Sequence, residues 1–172
     1  MPKGQYKDFS CKLDESGWED ILKEMNHLEK REVEYGYPDR SVIHRESKES
    51  IVDIAHWNND GVKDKTGTKW HIPPREFMDM AAMFTAEDMK KYNDLIEKTL
   101  CKYRGTSKID TVLKMIGDMT ADTIREAIDT QEFDPLAPST VMQKGSDVIL
   151  VETNQLYNDA TYKINLIKSK ND

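Results

Sequence analysis

The stretch from Ile109 to Ile128 constrains this chain most. Ile109, Val112, Leu113, Ile116, Met119, Thr123, Ile124, Ala127 and Ile128 recur at three- and four-residue steps. That spacing lays side chains along one face of an α-helix. Ser107 stands where it can cap the first turn. Gly117 sits inside the stripe, where it costs about 1 kcal/mol relative to Ala and marks a close approach by a neighbouring element.

The other elements are read around that stripe. Ser16 with Glu19 has capping-box spacing, and Trp18, Ile21, Leu22, Met25 and Leu28 then form one apolar face expected to pack into a core. Val33, Tyr35 and Tyr37 alternate as a strand, Pro38-Asp39 turns, and Ser41–Glu46 reads as its hairpin partner. Ser50 caps a short helix over Ile51–Asn58, which Asn59-Asp60-Gly61 ends. Residues 62–69 are polar and read as a mobile loop, Trp70–Ile72 as a short strand, and Pro73-Pro74 as its stop.

Thr85 with Asp88 opens a helix carrying Met89, Tyr92, Leu95, Ile96, Thr99, Leu100 and Tyr103, with Arg104-Gly105 as its end. Beyond the long helix, Phe133–Pro138 breaks the chain, Ser139–Lys144 makes a short helix and Gly145 stops it. Thr153 caps a single turn to Tyr157, and Ala160, Tyr162, Ile164 and Leu166 alternate as a last strand. Residues 1–13 read as a flexible arm and 168–172 as a frayed tail. The expected class is α+β over residues 1–172 as one domain: a small, mostly antiparallel sheet packed against two or three helices, with an N-terminal arm or helix.

Composition narrows the function. A net charge of −7 argues against a nucleic-acid binder, which needs a basic face. Cys11 and Cys101 are the only cysteines, so a disulfide framework is not expected. The first residues lack the apolar run of a signal peptide, and no stretch approaches the ~20 apolar residues of a membrane span. The expectation is a soluble protein made inside a cell.

Catalytic patterns are missing from the sequence. His27, His44, His56 and His71 are 12 or more residues apart, without the short paired spacing of a metal site. There is no Gly-x-Ser-x-Gly elbow, and Lys65-Thr66-Gly67-Thr68 lacks the upstream glycine of a phosphate loop. No enzyme, cofactor or metal is therefore expected. Binding has more support, because Tyr35, Tyr37, Trp57, Trp70, Phe77 and Tyr162 gather around the strands and loops. Two roles are open to these aromatics, a docking surface or the domain's own core.

Three segments in order carry a resemblance. The first is Ile54-Ala55-His56-Trp57-Asn58-Asn59-Asp60-Gly61, a short helix ending in a turn. The second is Ile72-Pro73-Pro74-Arg75-Glu76-Phe77-Met78, a strand exit. The third is Pro135 to Gly145 followed by Glu152-Thr153-Asn154-Gln155-Leu156-Tyr157-Asn158-Asp159-Ala160-Thr161-Tyr162. Together they resemble the tail-completion, or virion-morphogenesis, family of tailed bacteriophages, which includes tail terminators, head–tail joining proteins and minor tail components. Asn154 stands where that pattern has Gly, and Asn tolerates the left-handed backbone better than other residues with side chains.

The resemblance implies a non-enzymatic virion protein that completes the tail at its head-proximal end as an oligomeric ring, such as a hexamer. Its partners would be further copies of itself, the tail-tube or sheath protein and a neck or connector protein. DNA would pass through the lumen without specific binding, and no membrane would be involved. Such a protein is assembled in the host bacterial cytoplasm and resides in the tail or neck of the particle. The candidate interface residues are Tyr35, Tyr37, Trp57, Trp70, Ile72, Arg75, Phe77, Thr153, Gln155 and Tyr162. Two other classes compete: a small intracellular metal-dependent hydrolase with a spatially assembled histidine site, and a phage regulator that binds a host protein.

Overall fold

In a computed structural model of the chain, residues 16–102, 106–151 and 153–167 are described. The expected arm, the 168–172 tail, the Tyr103–Gly105 helix end and the capping side chains of Ser16 and Ser107 lie outside them. The chain order is α1 (Ser16–Glu29), β1 (Arg31–Gly36), α2 (Ile51–Asp60), β2 (Val62–Lys63), β3 (Trp70–Ile72), α3 (Phe77–Glu87), α4 (Met89–Lys102), α5 (Thr106–Thr130), α6 (Pro138–Lys144), α7 (Gln155–Asp159) and β4 (Thr161–Leu166). The class is α+β, with two small antiparallel sheets, β1–β4 and β2–β3.

The stripe on α5 is the spine of the domain. Ile109, Ile124, Ala127 and Ile128 are fully buried, and α1, α3, α4, α7, β1 and β4 all pack on this helix. Its C-terminal half joins one core, where Ile124, Ala127 and Ile128 meet Ile51 and Ala55 of α2, Phe77 and Ala81 of α3, and Leu156 and Ala160. Its N-terminal half joins a smaller one, where Val112 and Ile116 meet Tyr92, with Leu95, Ile96 and Met119 against them. Full burial of one such large apolar side chain contributes roughly 1.5–3 kcal/mol.

Gly117 has the close neighbour its position implies. A Cβ there would lie 2.2 Å from Cδ2 of Tyr162, so the tyrosine ring of β4 rests directly on the α5 backbone.

Three local expectations are corrected, and the hairpin setting of the 62–69 loop is added. Ser41–Glu46 is not the partner of β1, which pairs instead with β4, Arg31 opposite Leu166 through Gly36 opposite Thr161. The segment makes only a single bridge, Ile43 with Ser50, because Gln155 holds its backbone to α7. Residues 62–69 form the arm and loop of the β2–β3 hairpin. The loop is organised by Asp64, whose Oδ1 accepts from the Thr66 and Thr68 amides at 3.1 Å each.

The helix α3 was hidden from periodicity because Phe-Met-Asp-Met-Ala-Ala-Met-Phe is apolar nearly all round and has no side-chain cap of its own at Glu76. Thr85 therefore lies inside α3, and the next helix opens after Asp88. Finally, the expected apolar face of α1 is split: Ile21 and Leu28 are half-buried, Trp18, Leu22 and Met25 are 62%, 48% and 51% exposed, and Gly17 and Glu24 are buried. Neither carboxyl oxygen of Glu24 has a partner among the described residues. The roll of α1 is set at its C-terminal end, where His27 and Arg31 both bond Asp110 of α5, at 2.8 and 3.3 Å.

Candidate functional site

The site begins where α2 ends. Ser50 caps the start of α2, accepting from the Val52 amide at 3.3 Å, and Gly61 closes it with φ +74°. A Cβ at Gly61 would lie 2.8 Å from the Ile72 carbonyl oxygen and the Pro74 nitrogen, and 2.9 Å from the Trp70 ring. Only a glycine lets the returning hairpin cross the end of the helix so closely. Lys63 then sits over the Trp70 ring at 4.8 Å, a cation–π contact that steadies the indole.

The chain leaving β3 satisfies the open carbonyls of α2. The Arg75 amide donates to the Asn58 and Asn59 carbonyls at 2.8 and 3.2 Å, and its Nη1 donates to Oδ1 of Asn58 at 3.0 Å. Nε of Arg75 has no partner among the described residues, and burial pulls the pKa of the guanidinium below its usual value. Asn59 is buried and spans the junction. Its Nδ2 donates to Asp60 at 2.8 Å and Asp79 at 2.9 Å, and its Oδ1 accepts from the Met78 amide at 2.9 Å. The cap missing from α3 is thus supplied by α2.

A second junction holds α7. Asn154 has φ +53° and adopts the left-handed turn. Thr153 Oγ1 accepts from the Gln155 amide at 3.3 Å and meets His44 Nε2 at 3.1 Å. His44 Nδ1 accepts from the Ser47 amide at 3.3 Å, so in the neutral ring the proton sits on Nε2 and is donated to Thr153. Gln155 is buried and uses both ends of its amide. It donates to the Ile43 carbonyl at 3.1 Å and Asp159 at 2.9 Å, and it accepts from the Arg45 amide at 2.9 Å.

Arg125 of α5 closes the other end of α7. It donates to the Tyr157 carbonyl at 3.2 Å and the Ala160 carbonyl at 2.5 Å. Gln131, at the end of α5, brackets Ile149: it donates to the carbonyl at 3.0 Å and accepts from the amide at 2.8 Å.

Between these junctions lies an open groove of about 670 Å³. Its floor and apolar walls include Ile54, Ile72, Leu136, Leu150 and Leu156, with Trp70 at the side. Its cationic and titratable lining is His44, His71, Arg75 and Lys144, against the single carboxylate of Glu46. With the histidines neutral, Arg75 and Lys144 outnumber the carboxylate of Glu46 by one charge, in a chain of net charge −7. The size falls in the range of sites that bury a ligand or a few side chains, roughly 300–1,000 Å³.

The candidate residues divide three ways. Trp70, Ile72, Arg75 and Thr153 line the groove. Gln155 supports it from beneath, and Trp57 is exposed on α2 without lining it. Phe77 is 0% exposed and belongs to the core, which corrects its reading as an interface residue. Tyr35 and Tyr37 pack against the same core, Tyr37 donating to the Leu156 carbonyl at 2.6 Å, and Tyr162 rests on Gly117. These aromatics contribute packing within the domain.

Arg125 and Gln131 were not singled out by sequence, and the structural roles of Asn59 and His44 were not read there. Only Asn59 carried a signal, a polar residue at a helix end beside a glycine; the others bond partners 18 or more residues away. Among the described residues no group of three or more His, Cys, Asp or Glu is placed to hold a metal ion, and no helix is long and apolar enough to cross a membrane.

The fold and groove define an α+β protein with an open surface groove. Compared with known proteins, the chain matches no family model, no curated protein and no solved structure.

Proposed function

We propose that this protein is a structural component of a tailed-bacteriophage virion that completes the tail at its head-proximal end and takes part in head–tail joining as an oligomeric ring. The observation that carries the reading is convergence. The first two segments of the resemblance, Ile54–Gly61 and Ile72–Met78, flank one hairpin, and the third, Pro135–Gly145 with Glu152–Tyr162, lies far from them in sequence, yet residues from each wall the same groove. Segments that merely stabilised separate parts of a fold would have no reason to meet at one surface cavity.

Two further features support it. A ring requires a heterologous contact, one patch meeting a different patch on the next copy. The groove and the outward stripe of α1 are two such unlike patches. The site is also built from packing and hydrogen bonds, with no grouped metal donors among the described residues.

The test is mass spectrometry of purified phage particles together with electron microscopy of particles lacking the chain. The expected result is the chain in mature virions, and tails of wrong length or without heads when it is missing. Absence from particles, or normal particles without it, refutes the proposal and favours a regulator that acts in the host.

A further inference from the structure

We infer that the groove takes an extended segment of a partner protein bearing a carboxylate beside a large apolar side chain, the carboxylate pairing with the Arg75 guanidinium and the apolar group lying on the groove walls. The inference concerns what the groove holds and does not rest on the virion reading. Three observations carry it.

The first is a cation without a counter-ion. Arg75 is half-buried and lines the groove. Its side chain makes one hydrogen bond, from Nη1 to the neutral amide oxygen of Asn58 at 3.0 Å, and no ion pair among the described residues. Nε is buried without a partner, whereas Nη2, equally unbonded, is not sealed from solvent. Burial pulls the pKa of the guanidinium down, and no carboxylate offsets that pull. The α2 junction does not require this group, since it is the Arg75 backbone amide that satisfies the Asn58 and Asn59 carbonyls. A partly desolvated guanidinium with a free donor is completed by a carboxylate, which it binds through charge-assisted hydrogen bonds.

The second is the setting of that cation. Ile54, Leu150, Leu156 and Trp70 share the lining with Arg75. An apolar side chain laid against them is stabilised by burial, and by excluding water it strengthens the adjacent ion pair. The groove is open rather than enclosed, so a small carboxylate would stay largely wet, whereas sites for such molecules bury most of the ligand surface. An extended segment covers the opening as it binds.

The third is the charge count, which selects a single carboxylate over a phosphate. Lys144 is already engaged, donating to the Val148 carbonyl at 3.4 Å, and His44 is held between Ser47 and Thr153. Glu46 is negative. Arg75 is therefore the one permanent cation of the lining left to meet an anion. A phosphate dianion would lack a second such cation and would face Glu46, whereas a neutral segment would leave Arg75 unpaired.

The test is amide NMR titration of the full, isotope-labelled chain with three probes: acetyl-Leu-Asp-Leu-amide, its Asn counterpart, and phenylacetate as a free small carboxylate. Because the chain carries a net charge of −7, an acidic probe is repelled overall and a preference for it has to arise locally. The Asp probe is expected to shift the amides of Ile72, Leu150 and Thr153 and to bind at least about tenfold more tightly than the Asn probe, the worth of a charge-assisted hydrogen bond. Phenylacetate should bind more weakly than the Asp probe.

In Arg75→Gln the preference for Asp over Asn should vanish, while Lys163→Gln, which removes an exposed cation on β4, should keep it. Arg75→Lys retains the charge without the planar fork and should show a reduced preference; it decides the matter should thermal melts show Arg75→Gln unfolded. Equal binding of the Asp and Asn probes, no shift at the groove with millimolar probe, or phenylacetate binding as tightly as the Asp probe overturns the inference. So does a preference that survives Arg75→Gln or is unchanged in Arg75→Lys. None of these outcomes bears on whether the chain is present in particles.

Discussion

Substituting Gly117 with alanine sets two effects of known sign against each other. In the interior of a helix, Gly→Ala gains about 1 kcal/mol from backbone entropy alone. Against it stands the Tyr162 ring, because the new Cβ would lie 2.2 Å from Cδ2 and 2.5 Å from both Cγ and Cε2. Ordinary carbon contacts are about 3.5–4.0 Å, so one partner must shift by more than about 1 Å. The strand fixes only the Cβ of Tyr162, so relief requires turning the ring about χ1 or moving β4 away, and either change gives up packing between the sheet and α5. Overpacking of this kind costs about 1–3 kcal/mol, and the severity here puts it at the upper end.

The net effect of Gly117→Ala is a loss of about 2 kcal/mol, which for a chain of this length lowers Tm by roughly 4–8 °C. Urea unfolding of Gly117→Ala, Tyr162→Ala and the double variant completes the cycle. Truncation to alanine is needed because even a valine would keep an atom at the Cγ position. In the Tyr162→Ala background the sign should reverse, Gly117→Ala then stabilising by about 0.5–1 kcal/mol. A gain in the wild-type background, or additive single effects, would refute the argument that the ring rests on this backbone.

Three other outcomes follow from the same structure. Glu24→Met should stabilise the chain by about 1–3 kcal/mol in chemical denaturation, since it removes a buried carboxyl that has no hydrogen-bond partner among the described residues; a loss of stability would mean that the group is paired or wet. Asn59→Ala removes the bonds to Met78, Asp60 and Asp79 and should cost about 2–3 kcal/mol, with hydrogen exchange accelerated first at the start of α3; a change below about 0.5 kcal/mol would sink the latch.

Tyr37 gives a pH dependence. Its phenol is raised above the usual value of about 10, chiefly by burial. Above pH ~10 the unfolded chain therefore loses this proton before the folded one does, and stability falls as pH rises. Tyr37→Phe should flatten that alkaline fall while costing about 1 kcal/mol at neutral pH for the lost bond to the Leu156 carbonyl; an unchanged slope would show that another group governs it.

The parts of the fold legible in sequence are those whose determinants are local. The α5 stripe, the Ser50 cap, the Gly61 and Gly145 stops and the Thr153–Asn154 turn each depend on residues within one turn of the position they shape. The parts that were missed are set by distant partners. Strand β1 has an alternating pattern that any neighbouring strand could satisfy, and its partner β4 is separated from it by most of the chain. The helix α3 takes its cap from Asn59, and α1 takes its roll from Asp110. In the groove, Trp70, Ile72, Arg75 and Thr153 were visible as members of short motifs, whereas Arg125 and Gln131 act through carbonyls and amides far along the chain and leave no local pattern.

That distribution bears on how the groove would bind. Its lining comes largely from short elements and loops, which in isolation would fluctuate and charge an ordering cost to any partner. Here the loops are pinned instead: residues 43–45 by Gln155, residue 149 by Gln131, the β3 exit by Asn58 and Asn59, and α7 by Arg125. Nearly every pin is an amide or guanidinium that bonds backbone rather than another side chain, so it fixes the path of the chain and leaves the lining side chains free to meet a ligand. A surface prepared in this way loses little entropy on docking, and affinity then depends on the anchor it receives. The outward-facing Trp18 of α1 is the most exposed of the three tryptophans, and removing it should leave the groove itself intact.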